Sequence, residues 1–117
     1  MQILNLSRNQ LKEIPKEIEY LVNLQYLYLH NNQLIEILKE IESLINLKKL
    51  ELHNNQLKEI GSLINLQYLY LYNNQLQEIP KELYNFVNCA PVGRPSHNKS
   101  LKNFCYVLYN KKLKKYH

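Results

Sequence analysis

The chain is poor in the residue types that many catalytic sites need. Its 117 residues include no Trp, two Phe, two Cys and two Gly, namely Gly61 and Gly93. A glycine-rich phosphate loop is therefore excluded, and neither an HExxH zinc motif nor a GxSxG nucleophile motif occurs. No apolar stretch is long enough to cross a bilayer. The sequence predicts a protein that is not an enzyme, with no catalytic residues, no cofactor and no metal.

The two cysteines, Cys89 and Cys105, give little guidance. Two thiols do not make a disulfide framework, and no CxxC pair is present; the two could form a bridge in an oxidising compartment or stay reduced in a reducing one. A thiol nucleophile paired with His97 or His117 matches no cysteine-enzyme signature. A chain with so few cysteines is compatible with either a reducing or an oxidising compartment.

The charge is unevenly distributed along the chain. Residues 1–88 contain eight Lys and Arg against ten Asp and Glu, a net charge of −2. Residues 89–117 contain seven basic residues and no acidic one, a net charge of +7. The sequence thus predicts a nearly neutral body, 1–88, followed by a basic tail, 89–117.

A repeated segment dominates the body. The pattern LxxLxLxxNxL occurs at 24–34, 47–57 and 66–76, and an earlier copy occupies 1–11 with Met1 in its first Leu position. Leu4, Leu27 and Leu50 are 23 residues apart, whereas Leu50 and Leu69 are only 19 apart. Because Met1 falls inside a repeat, we expect a trimmed chain, and the lack of a visible signal peptide does not decide the compartment.

The pattern predicts an α/β solenoid of about four repeats over 1–88. Leu27 and Leu29 alternate with polar residues, which is the period of a strand, and stacked repeats bury such leucines in a shared core. Ile37, Ile41 and Leu44 have helical spacing. We therefore expect a right-handed arc with parallel strands on the concave face and short helices or 3₁₀ turns on the convex face. In the 19-residue repeat, an extended or 3₁₀ link with locally altered curvature is expected.

An asparagine follows each predicted strand. Where the chain turns inward, an amide side chain can hydrogen-bond backbone groups that the turn leaves bare. We interpret these residues as a structural ladder rather than as ligand contacts. They are Asn9, Asn32, Asn55 and Asn74.

The tail departs from the repeat. Pro91 lies where the next strand should be, which predicts a loop. Further on, residues 104–109 are rich in strand formers, and we favour a degenerate last strand that closes the sheet edge. The alternative is a capping helix over 101–109 with one face formed by Leu101, Phe104, Cys105 and Leu108. Either element would cover the open end of a solenoid.

The outward positions of the strands form rows across the predicted concave face. Tyrosine gives a large contact area at low entropic cost and is enriched at interfaces, so we predict a protein-binding surface. The alternative is that the rings only pack on each other and cover the sheet. The predicted binding residues are Tyr26, Tyr28, His30, Lys49, Glu51, His53, Tyr68, Tyr70 and Tyr72.

Two further groups of residues carry ligand-binding chemistry. His30, His53 and Glu51 should be neighbours with the chemistry of a divalent-metal site or a pH sensor, but we interpret them as surface polar residues. The lysines of the tail could contact an acidic glycan or lipid, yet a solvated terminus is favoured, and no nucleic-acid-binding motif accompanies them. These lysines are Lys99, Lys102, Lys111, Lys112, Lys114 and Lys115.

The body resembles the short 23-residue-repeat leucine-rich-repeat (LRR) proteins of pathogenic leptospiral spirochaetes, through segments such as NLQYLYLxNNQLxEIPKE. The resemblance covers residues 1–88 and extends more distantly to the bacterial internalins. It implies a secreted or surface-exposed protein that binds a host cell-surface protein, by analogy a cadherin-type receptor. The short repeat and the tail depart from the pattern. Alternatives are polyanion adhesion through the tail, an intracellular scaffold, and a homodimer formed through a sheet edge.

Overall fold

The computed structural model describes residues 2–61, 63 and 66–76, together with the backbone of two strands further along the chain. Each repeat contributes a strand of three residues. In chain order the strands are β1 Ile3–Asn5, β2 Tyr26–Tyr28, β3 Lys49–Glu51, β4 Tyr68–Tyr70, β5 Phe86–Asn88 and β6 Val107–Asn110. They form one sheet in the order β1-β2-β3-β4-β6-β5.

Strands β1 to β4 are parallel and in register with the repeat. Leu4 pairs with Leu27, Leu27 with Leu50, and Leu50 with Leu69. Leu27, Leu50 and Leu69 are fully buried, because side chains on one side of the sheet all point into the solenoid core. The neighbouring strand of each repeat thus covers the leucines that one repeat cannot bury alone.

The convex side consists of short 3₁₀ helices, η1 Lys16–Tyr20 and η2 Lys39–Ser43. Each buries one isoleucine, Ile18 or Ile41, against the core. The helices remain short because the chain must return to the sheet within one repeat, and i→i+3 bonding suits single turns. The predicted LRR solenoid with 3₁₀ turns opposite a parallel sheet is confirmed.

The short repeat changes the convex side and leaves the sheet unchanged. The Gln67 N–H donates to the Lys48 carbonyl at 2.9 Å, as the Lys48 N–H donates to the Gln25 carbonyl at 2.8 Å in the full-length repeat. The four missing residues therefore come from the return path, where Gly61 lies outside any helix. The expected change of local curvature stays a prediction.

The tail confirms one expectation and corrects another. A strand occupies Val107–Asn110, so the favoured last strand is confirmed for residues 107–109 and the capping-helix alternative is wrong there. This strand does not close the edge, because β6 runs antiparallel between β4 and β5, pairing Leu69 with Leu108 and Val87 with Tyr109. Residue alternation has the same period in either strand direction, so it could not specify the orientation. The parallel order predicted for the sheet therefore ends at β4.

The other features predicted for the tail lie outside the described residues. These are the loop at Pro91, the residues 101–106, and the thiols of Cys89 and Cys105. The division of the chain at residue 88 stays a prediction. Within the described part of the chain, no helix has the length and apolar character needed to span a membrane.

Candidate binding surface on the concave face

The strand register places the predicted binding residues side by side. Tyr26, Lys49 and Tyr68 form one row across β2, β3 and β4. Tyr28, Glu51 and Tyr70 form the next row. His30, His53 and Tyr72 follow two residues later, where successive rings contact each other. We call these nine residues the concave face.

Lys49 lies at the centre of the concave face. Its Nζ is 3.4 Å from Glu51 Oε2, 5.1 Å from the centre of the Tyr70 ring and 5.9 Å from that of Tyr28. Burial by itself lowers the pKa of Lys49, but Tyr70 and Glu51 outweigh it, so the pKa is raised. The side chain is therefore a fixed cation held between two aromatic rings and one carboxylate.

The tyrosines around Lys49 line a shallow open groove of about 420 Å³. Tyr68 is 37% exposed and the neighbouring Ile3 is 54% exposed, so the groove presents apolar surface to solvent. Monomeric proteins seldom leave contiguous aromatic surface exposed without a use. The described residues that line it are Ile3, Tyr26, Tyr28, Lys49, Tyr68 and Tyr70.

The histidine row is a continuous stack. The rings of His30 and His53 lie 4.4 Å apart and 9° from parallel, and His53 and Tyr72 lie 4.4 Å apart at 16°. His53 is only 7% exposed. Burial, with a smaller contribution from His30, lowers its pKa to about 4. Tyr70, with its ring centre 5.8 Å away, and Glu51, 4.0 Å from Nε2, also face it.

The first repeat contributes Ile3 to the groove but no aromatic ring to the surface. Its outward positions are Ile3, Asn5 and Ser7, and the side-chain Oδ1 of Asn5 accepts hydrogen bonds from the backbone N–H and the hydroxyl of Ser7. The Asn5 side chain thereby hydrogen-bonds within its own turn. Among residues 2–61, 63 and 66–76, the aromatic surface accordingly begins at the second repeat.

The asparagines after the strands hydrogen-bond the backbone of two successive repeats. Asn55 Nδ2 donates to the carbonyls of Leu52, in its own repeat, and Leu29, in the preceding one, both at 3.0 Å. Its Oδ1 accepts from the Leu34 amide at 3.0 Å. Asn32 and Asn74 are buried and bond in the same way.

Asn9 differs from the other members of the ladder. It is exposed, and its Nδ2 donates to the carbonyls of Leu6 and Ser7 within its own repeat. Its Oδ1 accepts no hydrogen bond that the structure shows among the described residues. The asparagine at this position therefore hydrogen-bonds the backbone of two repeats in the later repeats, where it is buried, and only the backbone of its own turn in the first repeat.

A second, exposed ladder was missed by the sequence reasoning. Asn54 Nδ2 donates to Asn31 Oδ1 at 3.0 Å, and Asn73 Nδ2 donates to Asn54 Oδ1 at 2.7 Å. All three have φ near +59°, a left-handed conformation that Asn tolerates better than most residues. The signal was the Asn-Asn pair in the second, third and fourth repeats, in which only the second Asn belongs to the motif; the first repeat has Arg8 in place of the first Asn.

The predicted anion-binding lysines cannot be placed on this surface. Their positions lie outside the described residues, and polyanion contact there stays a prediction. They are Lys99, Lys102, Lys111, Lys112, Lys114 and Lys115.

Stacked short strands, buried leucines and asparagine ladders define a repeat solenoid whose sheet offers a binding surface. The family "Leucine Rich repeats (2 copies)" matches residues 22–65 and 45–85, and "Leucine rich repeat" matches 1–34. The chain belongs to the leucine-rich-repeat family. Its fold and family are typical of non-enzymatic protein-interaction modules.

A solved leucine-rich-repeat protein of Leptospira interrogans is similar to this chain. The two are 46% identical over 71% of this chain, with a TM-score of 0.67. The match spans 22% of that longer protein. No curated protein matches this chain. The resemblance to leptospiral LRR proteins is confirmed.

Proposed function

We propose that this chain is the protein-binding part of a secreted or surface-exposed bacterial protein, and that its concave face binds a host cell-surface protein of the cadherin type. The observation that carries the proposal is the contiguous aromatic surface around Lys49 on a rigid parallel sheet. The similarity to a leptospiral LRR protein supports a bacterial setting. The host-directed role is proposed from what the family resemblance implies. The cadherin-type receptor is proposed by analogy with the internalins, which the repeats resemble.

The concave face is already ordered without a partner. Lys49 is held by Glu51 and Tyr70, and the His30, His53 and Tyr72 rings are stacked. Side chains that are fixed before binding lose little conformational entropy when a complex forms. A partner that presents apolar side chains to the groove and a carboxylate or carbonyl oxygen to Lys49 fits this surface.

The test is binding of the full chain to a panel of adhesion-receptor ectodomains, measured by surface plasmon resonance. Aromatic anchors at interface centres each contribute on the order of tenfold or more in affinity. Tyr28→Ala combined with Tyr70→Ala should therefore weaken binding by roughly a hundredfold. The matched control is Tyr20→Ala, because Tyr20 is 73% exposed and lies in η1, on the opposite side of the solenoid.

Two outcomes separate this proposal from the tail-based alternative. Binding that persists at physiological salt and is lost only in the double Tyr variant supports the concave face. The opposite outcome is binding to every ectodomain that falls steeply with salt and persists in the double Tyr variant. If that binding is also lost on changing four tail lysines to Gln, polyanion adhesion replaces the proposal. These lysines are Lys111, Lys112, Lys114 and Lys115. The intracellular scaffold and the sheet-edge homodimer stay predictions.

A further inference from the structure

Three groups with metal-ligand chemistry converge beside the aromatic groove. His30 follows β2, Glu51 ends β3, and His53 lies two residues beyond Glu51 on the same side of the sheet. Glu51 Oε1 is 3.4 Å from His30 Nδ1 and 4.0 Å from His53 Nε2. One ligand atom from each residue lies within 4.8 Å of the other two.

The histidine nitrogens here have unmet bonding capacity. Nδ1 of His30, the nitrogen that faces Glu51, is buried and has no hydrogen-bond partner among the described residues. Nδ1 of His53 is likewise buried and without a partner there, although the His53 nitrogen that faces Glu51 is Nε2. His30 Nδ1 is near Glu51 Oε1, but the contact lacks the geometry of a hydrogen bond. Buried polar atoms in native proteins are normally hydrogen-bonded, and coordination of a metal ion is one established reason for an exception. The His53 side chain is 9% exposed, so bulk water does not solvate it freely.

The distances between the ligand atoms are close to those of a tetrahedral zinc site. Ligand atoms about 2.0–2.1 Å from a tetrahedral metal are roughly 3.3 Å apart. The distance from His30 Nδ1 to Glu51 Oε1 already meets this value, at 3.4 Å. The distance from His53 Nε2 to Glu51 Oε1 must shorten from 4.0 Å. Because the two imidazole planes are only 9° from parallel, the rings must tip toward each other to share one ion.

The donor set selects the kind of metal. Two imidazole nitrogens and one carboxylate oxygen suit Zn²⁺ and its first-row neighbours, with a fourth position left for water or a partner. Ca²⁺ and Mg²⁺ require six or more oxygen ligands, which these residues do not supply. Lys49 binds the other carboxylate oxygen, Glu51 Oε2, at 3.4 Å, which orients the carboxylate but places a positive charge nearby.

We propose that His30, Glu51 and His53 form a binding site for Zn²⁺ or a similar divalent transition-metal ion on the concave face. This site replaces the earlier interpretation of the three residues as surface polar groups. It is independent of any protein partner, because the metal alone should bind.

The test is isothermal titration of the full chain with ZnCl₂ in a buffer without chelators. Cys89→Ser with Cys105→Ser serves as the parent, because thiolates bind zinc. We expect one ion per chain, and at least about a tenfold loss of affinity in both His30→Gln and Glu51→Gln. His97→Gln and His117→Gln are the matched controls, since they remove the remaining two of the four histidines.

Thermal unfolding distinguishes the loss of a metal ligand from the loss of the folded structure. Zn²⁺ should raise the midpoint temperature of the parent and leave that of His30→Gln unchanged, while circular dichroism without metal is the same for both. Lys49→Gln keeps all three ligands and removes the neighbouring charge, so it should bind Zn²⁺ at least as tightly as the parent. The proposal would be overturned if the parent does not bind Zn²⁺ or if His30→Gln binds it as tightly as the parent. It would also be overturned if binding is lost in His97→Gln or His117→Gln.

Discussion

Removing the amide of Asn55 tests how the repeats are joined. In Asn55→Ala the Leu34 N–H loses its acceptor, while the carbonyls of Leu29 and Leu52 keep hydrogen bonds from Asn32 and Asn74. One unsatisfied buried amide costs about 1–3 kcal/mol, and each of two lost hydrogen bonds about 0.5–1.5 kcal/mol. We therefore expect the free energy of unfolding to fall by roughly 3 kcal/mol.

Asn9→Ala is the matched control for this change. Asn9 occupies the same motif position but is exposed, and the Leu6 carbonyl keeps a hydrogen bond from Asn32. The expected loss is about 1 kcal/mol or less. Urea unfolding followed by far-UV circular dichroism measures both variants, and a difference of about 2 kcal/mol separates their midpoints by roughly 1 M. Equal losses in the two variants would refute the reasoning that the cross-repeat bonds matter more than the local turn.

Two further predictions concern the core and pH. Leu50→Ala should lower the free energy of unfolding by about 2–5 kcal/mol because Leu50 is fully buried, whereas Ile45→Ala, at a position 73% exposed, should change it by less than about 0.5 kcal/mol in the same urea assay. The pKa of His53 is lowered to about 4 in the folded protein, below its unfolded value of 6.5. Neutral His53 is therefore compatible with full stability above pH 6.5, and the free energy of unfolding decreases as the pH falls from 6.5 toward 4. From about pH 7 to about pH 5, with chelator present, the protein should lose roughly 2 kcal/mol more than His53→Gln, and parallel pH profiles would contradict this.

The repeat spacing was sufficient to predict most of the body. Spacings of 23, 23 and 19 residues between Leu4, Leu27, Leu50 and Leu69 fixed which residues pair across the sheet. The rows of the concave face follow directly from that register. The direction of β6 was not predictable, since strand formers and a period of two are common to parallel and antiparallel pairs.

The local chemistry of the concave face was harder to predict. Neighbouring positions for His30 and His53 followed from the register, but the burial of His53 depends on how Tyr72 stacks against it. The exposed ladder depends on the left-handed backbone of Asn31, Asn54 and Asn73, which the consensus pattern does not specify. Side-chain packing and backbone conformation at single positions lie beyond a pattern of spacings.

The 19-residue repeat has a consequence for how such proteins can diversify. Lys49 still pairs with Tyr68 and Glu51 with Tyr70, although the return path between these strands is four residues shorter than its predecessor. Insertions and deletions on the convex side thus leave the strand register, and with it the arrangement of the concave face, unchanged. A lineage can lengthen or trim its repeats while the concave face keeps its arrangement, and it can change concave residues one by one without disturbing the scaffold.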